Sequence, residues 1–468
     1  MNFGDIYRRL KVGRSSELGG LAGDSLYAFV WQSSISAADF VQIVLVAHVL
    51  GITEYGRLAL VTSFVVLVSQ FLDVRVAWAA TTFGSYPVVS RHWPSAAGVF
   101  RFSYLIDAAT GIAAFLIVVA LAPMVGPWLI GEEGAWLIIL FGVSLLVSTV
   151  DDSSISVTRL LGGFRLLAGY TVLLEIFRIV AIGCALLLDQ SLTAVVVALV
   201  VYEFACGLVN YAVAASLFAR ASGMRLVRWS LEGFRDQRAM LGTVMHTNVL
   251  SYARIAQVQF PTLLLGVVTT PASVGLYKIG VAAASLIGRV GDPASAAVLP
   301  RLSRLWAGGQ LDEIRRLIRS ATVTVVPLAA LAFALLVILR DPVLRLLGGV
   351  EAVDAGPVLI LAGLAQAANA GLFWNTGLLF AAGRSGAVSM IAIGTAVLQL
   401  ALLFPLVAAY EETGAAIALL ITVGLSNIVL VILCLRLFKN CSQTGFRDNG
   451  ILSDNDPPDL SSEQKARA

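Results

Sequence analysis

The chain alternates between long apolar stretches and short polar turns, and each apolar stretch is close to the ~20 residues that an α-helix needs to cross a bilayer. Basic residues interrupt the alternation once, after the sixth stretch, which divides the pattern into two sets of six. The pattern predicts twelve transmembrane helices, at residues 25–50, 57–81, 98–122, 134–155, 166–188, 192–219, 243–268, 276–298, 318–340, 356–381, 386–409 and 413–438.

One stretch within this pattern occurs twice, first at residues 36–73 and again at residues 251–292. Its polar and glycine positions align at two offsets because the second copy gains four residues after its first helix: Ser36, Asp39, Gln42, Leu50 and Gly51 match Ser251, Arg254, Gln257, Leu265 and Gly266, and then Gly56 and Asp73 match Gly275 and Asp292. Matched polar residues inside apolar helices rarely arise by chance. We therefore predict two repeated six-helix lobes around a central cavity, an architecture common among membrane transporters.

Composition places the chain among membrane proteins. Of its 468 residues, 58% are hydrophobic and only 13% are charged, whereas soluble domains carry about 25% charged residues. The fold class predicted is therefore an all-α polytopic membrane protein. Its four cysteines have no motif spacing and its three histidines are scattered, so we predict no metal site and no cofactor. The P-loop pattern is absent, and nothing indicates catalytic residues or a nucleic-acid partner.

Arginines in the loops set the predicted orientation. If the amino terminus is cytoplasmic, the inside loops are rich in arginine while the outside loops carry mostly acids, as the positive-inside rule requires. Both termini are then cytoplasmic. The predicted organisation is a basic segment at 1–24, lobes at 25–220 and 243–438, a basic linker at 221–242 and a disordered polar tail at 439–468.

Two inside segments, at residues 220–238 and 299–321, alternate apolar residues with arginine. Basic amphipathic helices of this kind lie on anionic lipid surfaces, but an ordinary inside loop explains the pattern equally well. The tandem acids Asp151 and Asp152 lie at the cytoplasmic end of the fourth predicted span. We interpret them as a loop feature.

Charged residues inside the predicted spans are the best candidates for function. A charge at the bilayer centre costs at least about 2.5–3.5 kcal/mol, so these side chains should face one another or a water-filled cavity. A cavity between repeated bundles predicts transport. Those near span centres are Asp39, Asp107, Glu175, Arg178, Glu203 and Arg254, and those nearer the ends are Asp73, Arg75, Lys278, Arg289 and Asp292.

Helical spacing suggests how some of these charges pair. Glu175 and Arg178 are three residues apart and can form an ion pair on one helix, and Arg289 with Asp292 has the same spacing. Asp73 and Arg75 face apart and need other partners. Asp39 and Arg254 occupy equivalent places in the two copies; they either line the cavity or form a fixed bridge between the lobes.

Two turns resemble those of a known family. The first-half turn resembles the "LG-x-x-E-Y-G-x-x-A" turn of the polysaccharide-biosynthesis flippases, which belong to the multidrug/oligosaccharidyl-lipid/polysaccharide exporter superfamily, and the second-half signature is similar. These motifs are Leu50-Gly51-Ile52-Thr53-Glu54-Tyr55-Gly56-Arg57-Leu58-Ala59-Leu60, then Ser273-Val274-Gly275-Leu276-Tyr277-Lys278-Ile279 and Val298-Leu299-Pro300-Arg301-Leu302-Ser303. The chain departs from the family at Asp73-Val74-Arg75, where an Asp-x-Gly is usual. The likeness covers roughly residues 20–440.

The resemblance implies a flippase of the cytoplasmic membrane that moves a polyprenyl-pyrophosphate-linked oligosaccharide to the outer leaflet by alternating access. Its partners would be this lipid-linked glycan, membrane lipids and other polysaccharide-biosynthesis proteins. Cationic side chains in the cavity would suit the pyrophosphate, because arginine binds phosphate bidentately. The substrate-cavity candidates are Asp39, Gln42, Arg254, Gln257, Lys278 and Arg289.

Three other interpretations stay open. A cation-coupled multidrug or small-molecule exporter of the same superfamily would place acidic cavity residues in the first lobe, where Asp39, Asp107, Glu175 and Glu203 lie. A membrane-embedded polysaccharide polymerase or ligase would need a large outer loop with catalytic residues, and the outer loops are short. The third alternative is a non-transporting scaffold derived from this fold.

Overall fold

The computed structural model describes residues 14–72, 76–226 and 237–444, and within these ranges the regular secondary structure is helical, without strands. The predicted tail beyond residue 444, the central part of the linker and most of the basic amino-terminal segment lie outside the described residues. So do Asp73 and Arg75 of the predicted polar network.

The described residues form sixteen α-helices and one short 3-10 helix, joined by turns. The first eight helices are α1 Arg14–Leu50, α2 Ile52–Leu72, α3 Val76–Val89, α4 Trp93–Leu129, α5 Gly134–Gly142, α6 Leu145–Leu160, α7 Phe164–Leu188 and α8 Leu192–Ser222. The others are α9 Gln237–Val268, α10 Pro271–Gly288, α11 Asp292–Ala307, α12 Leu311–Ile338, α13 Arg340–Gly348, the 3-10 helix Glu351–Ala355, α14 Gly356–Gly371, α15 Trp374–Ala381 and α16 Ser385–Thr444.

Ten segments of the described residues are long and apolar enough to cross a membrane. One of them, Ser385–Cys441, covers two predicted spans: α16 contains a break at Glu411, where the backbone adopts φ 47° and ψ −128°. Helix α9 has sufficient length for a further span, but it is not among the ten. The chain is thus an all-α polytopic membrane protein, while the count of twelve spans stays a prediction.

The fourth predicted span is interrupted. At Val143 and Ser144 the backbone leaves the regular α-helical ladder, which separates α5 from α6. Ser144 Oγ donates to the Phe141 carbonyl oxygen at 2.7 Å, a local bond that competes with helical pairing. Helix α6 then continues to Leu160, so Asp151 and Asp152 are helical residues.

The described chain divides into two compact units. The first holds the residues up to Ile279 together with Leu344–Ala355 and Tyr410–Glu412, and the second holds the remainder. In the first unit α1 packs along α7, α6 packs against α4 and α8, and α9 packs against α2. In the second, α11 packs against α15 and α12 against α14. The lobe boundaries at 220 and 243 stay predictions.

The two copies of the repeat meet at their matched glycines, inside the first unit. A Cβ on Gly56 would overlap the Pro271 carbonyl oxygen, and a Cβ on Gly275 would overlap the carbonyl oxygen of Ile52. Pro271 is the residue that aligns with Ile52, so each copy makes the same contact with the other. Such reciprocity is the signature of a twofold relation, and only glycine permits so close an approach of two helices.

Candidate functional site

A charged cluster within the first unit is centred on Arg178 of α7. Its Nη2 lies 2.8 Å from Glu175 Oε2 and 2.9 Å from Asp39 Oδ1 of α1. The same nitrogen donates to the Ile35 carbonyl oxygen at 3.2 Å. Tyr202 of α8 donates its hydroxyl to Glu175 Oε1 at 2.8 Å, and its ring lies 5.2 Å from the guanidinium carbon. One arginine therefore joins α1, α7 and α8.

Burial differs across this cluster. The side chains of Arg178 and Glu175 are 10% and 6% exposed, whereas that of Asp39 is 56% exposed. The buried ion pair of Glu175 and Arg178 lies within α7. Asp39 binds the same guanidinium from its exposed side. Two carboxylates share one arginine, so the ionised cluster carries a net negative charge.

The cluster confirms one predicted pairing and corrects another. Glu175 and Arg178 form the predicted ion pair. The proposed bridge between Asp39 and Arg254 is wrong, because Asp39 is bonded to Arg178 and no ion pair joins Arg254 to a carboxylate of the described residues. Helical spacing reveals partners on one helix, but only the packing of α1 against α7 brings Asp39 to Arg178.

A cavity of about 260 Å³ lies elsewhere in the first unit, among α2, α3, α4, α5, α6 and α8. Three carboxylate side chains line it, those of Asp107, Asp152 and Glu203, and the other polar lining residues are Ser69, Gln70, Thr110, Ser144, Ser148 and Thr149. No lysine or arginine is among its described lining residues. The cavity is thus acidic. Even so, no group of three or more His, Cys, Asp or Glu side chains in the described ranges is arranged to hold a metal ion.

The tandem acids belong to this region rather than to a loop. Both lie within α6, where Asp152 lines the acidic cavity and Asp151 Oδ1 accepts a hydrogen bond from Asn210 Nδ2 at 3.2 Å. Asn210 in turn accepts from the Tyr170 hydroxyl at 2.6 Å. In the sequence, the helical spacing of the polar residues after Val150 was the available signal that Asp151 and Asp152 lie in a helix.

The remaining cavity candidates lie on α1, α9 and α10 and at the α10–α11 junction. Arg254 is exposed on α9, and Lys278 is half-buried on α10. Arg289 and Asp292 are exposed near the α10–α11 junction, in the second unit, where the Asp292 N–H donates to the Arg289 carbonyl oxygen at 3.3 Å. Gln42 and Gln257 are half-buried on α1 and α9. Near Arg254, the ring of Tyr252 stacks on Phe71 of α2 with centroids 5.5 Å apart.

Comparison with known proteins identifies the family. A family model described as polysaccharide biosynthesis protein matches residues 21–306, more than half of the chain. The chain belongs to this family. For this polysaccharide biosynthesis protein, the matched range includes both copies of the repeat, the Arg178 cluster and the acidic cavity. No curated protein matches the sequence.

Solved structures share the fold of this polysaccharide biosynthesis protein. An inward-facing multidrug resistance MATE family transporter of the MOP superfamily superposes with a TM-score of 0.69 at 14% identity, over 87% of this chain and 95% of that one. The lipid II flippase MurJ, in an inward closed conformation, gives a TM-score of 0.67 at 12% identity, over 89% and 90%. At such identities the likeness shows the fold, which is that of transporters and flippases.

Proposed function

We propose that this protein is a flippase that moves a polyprenyl-pyrophosphate-linked oligosaccharide across the cytoplasmic membrane by alternating access. The family match supports a place in polysaccharide biosynthesis, and the fold shared with the lipid II flippase MurJ supports lipid-linked transport. Both termini are cytoplasmic in this proposal, as the loop arginines predict. Its partners are the lipid-linked glycan, membrane lipids and the other proteins of polysaccharide synthesis.

The position of Arg254 is the single observation that supports an anionic substrate. It lies well inside α9, its side chain is exposed, and it forms no ion pair with a described carboxylate. If α9 crosses the membrane at the predicted residues 243–268, a guanidinium near the middle of that span is too costly to leave facing lipid. A pyrophosphate would supply the missing counter-charge and match the planar donor geometry of arginine.

The test uses the purified protein in proteoliposomes that contain a fluorescent polyprenyl-pyrophosphate oligosaccharide. Translocation is followed as the fraction of label that becomes accessible to a membrane-impermeant quencher. We expect Arg254→Ala to abolish translocation and Arg254→Lys to lose most of it, because an ammonium cannot bind phosphate bidentately. Arg165→Ala removes an exposed arginine at the start of α7 and is the matched control.

Wild-type translocation by Arg254→Ala would remove this arginine from the mechanism. Failure of the intact protein to translocate the labelled lipid would argue against the flippase itself. Equal loss in Arg254→Ala and Arg165→Ala would indicate a general charge effect and would also contradict the role of Arg254.

A second candidate function is a cation-coupled exporter, and the acidic cavity specifically favours it. The three carboxylates that line this cavity would attract protons or metal cations. We expect Asp107→Asn and Glu203→Gln to abolish export of a cationic drug driven by a proton or sodium gradient if this function holds. Gradient-independent translocation of the glycan lipid by both variants would leave the flippase as the better assignment.

A further inference from the structure

A basic groove lies between α11 and α12, in the second unit. It has a volume of about 480 Å³ and is lined by Arg301, Arg304 and Leu305 of α11 with Glu313, Arg316 and Leu317 of α12. The two helices are joined by a tight turn in which Gly309 adopts φ 67°. The loop arginines predict that this end of the unit faces the cytoplasm.

The charges of the groove are not balanced. Three guanidinium groups face one carboxylate, and none of the three arginines forms an ion pair with a carboxylate of the described residues. The neighbouring Arg315 is different, because its Nη1 lies 3.4 Å from Asp312 Oδ1 and its guanidinium carbon lies 5.5 Å from the Phe438 ring centroid. The groove therefore holds a surplus of positive charge that an anion would neutralise.

Arg101 in the first unit is an example of an arginine that is bonded to backbone carbonyl oxygens. It lines a cavity with Arg225 at the end of α8, and there it donates to the Arg225 and Leu226 carbonyl oxygens at 2.8 and 3.2 Å. Two of its N–H donors are thus bonded to the backbone. Among the described arginines that line the groove, the one such bond is long, from Arg304 Nε to the Pro300 carbonyl oxygen at 3.4 Å.

The scaffold under the groove is rigidly packed. Leu302 and Trp306 on α11 and Ile314 and Ile318 on α12 are buried in one hydrophobic cluster with residues of α15 and α16. These contacts fix the spacing of the two helices, so the backbone positions that carry the arginines are set without a ligand. A preorganised backbone loses less conformational entropy when an anion binds.

Beyond the groove, α12 continues as a candidate membrane span with mostly exposed side chains. Only 17% of its most apolar part is buried inside the protein. Val323 and Leu331 are exposed and lie within about 60° of Arg316 on the helical wheel. Exposed Arg319 and Ser320 lie on the same side between the groove and Val323, so an apolar stripe begins after them and continues along one side of α12.

We propose that the groove is a binding site for the phosphate of an anionic membrane phospholipid, whose acyl chains lie along α12. The three arginines bind the phosphate and the headgroup, while Leu305 and Leu317 contact the glycerol region. Arginine serves this chemistry because it stays charged and donates in pairs. A basic end of α12 that is followed by an exposed apolar stripe on the same side suits a lipid better than a free anion. The proposal does not rest on the proposed function.

The test measures lipid binding to the purified full-length protein by native mass spectrometry. Phosphatidylglycerol is compared with phosphatidylcholine of the same acyl chains. The test variant carries Arg301→Gln, Arg304→Gln and Arg316→Gln. Its control carries Arg340→Gln, Arg345→Gln and Arg436→Gln, which removes the same charge from exposed arginines that do not line the groove.

We expect the wild type and the control to retain phosphatidylglycerol in preference to phosphatidylcholine. Each basic residue near an anionic lipid contributes about fivefold, so the groove variant should lose affinity on the order of 100-fold. Equal retention by the groove variant would overturn the site, and equal loss by the control would show a general charge effect and overturn it as well. Displacement by millimolar inorganic phosphate, or preference for a polyprenyl diphosphate over phosphatidylglycerol, would overturn the assignment to a bilayer phospholipid.

Discussion

The two copies of the repeat keep the same backbone contact but place opposite charges at the same position. Gly56 and Gly275 make reciprocal contacts with Pro271 and Ile52. In the helix that precedes each glycine, Asp39 is bonded to Arg178 in one copy, whereas its counterpart Arg254 in the other is exposed and has no described carboxylate as a partner. The difference teaches that steric limits hold the glycines fixed, while the polar positions are free to take separate roles.

The turn between the paired helices also differs. Gly51 ends α1 with φ 88°. Its counterpart Gly266 is still helical, because α9 continues past it to Val268, and it packs against Leu60 and Leu129. Most of the four extra residues in the second copy therefore extend a helix. Two aligned glycines thus serve different purposes, one conformational and one steric.

Removing Arg178 should have the largest effect on stability. Arg178→Ala leaves Glu175 buried without its cation, and breaking a buried pair costs about 3–5 kcal/mol. We expect a large fall in the thermal midpoint of the purified protein in detergent. Arg254→Ala should leave the midpoint almost unchanged, because no described carboxylate loses a partner.

A second substitution separates charge from packing. Adding Glu175→Gln to Arg178→Ala removes the uncompensated charge, so part of the lost midpoint should return. An Arg178→Ala protein that is as stable as the wild type would contradict the structural importance of the cluster.

Substituting Gly56 or Gly275 should have the next largest effect on stability. Gly56→Ala and Gly275→Ala each place a methyl group against a backbone carbonyl that cannot rotate away, and overpacking of this kind costs about 1–3 kcal/mol. Gly183→Ala on α7 is the control, because a Cβ there meets nothing within 4 Å. Chemical denaturation of the two single variants and of the double variant measures the effect.

Because both substitutions widen the same contact, the double variant should lose less than the sum of the two single losses. Strictly additive losses would mean that the glycines act independently and would break the reciprocal comparison.

Substituting Gly51 should destabilise the protein less, and for a conformational reason. Its backbone lies in the left-handed region, which costs a residue with a side chain about 1–2 kcal/mol. Gly51→Ala should destabilise by about that amount, and Gly51→Asn by less, since asparagine tolerates this conformation better. Thermal midpoints of the two variants test the order. The same loss in both would point to packing, although a Cβ on Gly51 meets nothing within 4 Å.

The sequence predicted what is periodic and local. The apolar pattern gave the helices, the repeat gave the equivalence of Gly56 and Gly275, and the spacing of Glu175 and Arg178 gave their ion pair. Each of these depends on residues close together in the chain or on a repeated pattern.

The parts that escaped prediction depend on which helices are neighbours. Asp39 reaches Arg178 only because α1 lies along α7, and the acidic cavity is lined by residues from six helices. Asp151 and Asp152 were misplaced because α6 continues through them to Leu160. A single sequence carries no direct signal for such long-range packing.

Asp39→Asn should be the mildest of these changes for stability, and it separates structure from function at the first copy. The Asp39 side chain is 56% exposed, so its ion pair resembles a surface pair worth about 0.2–1 kcal/mol. Arg178 keeps Glu175 and the Ile35 carbonyl oxygen as partners, and asparagine still offers an acceptor oxygen. We expect a small shift in the thermal midpoint, whereas Glu175→Gln should cost more because that carboxylate is buried. The informative result comes from measuring translocation on the same samples. A stable Asp39→Asn protein that no longer translocates would show that the outward carboxylate serves transport, while full translocation would leave Asp39 as a structural residue and Arg254 as the only member of the aligned pair that acts on substrate.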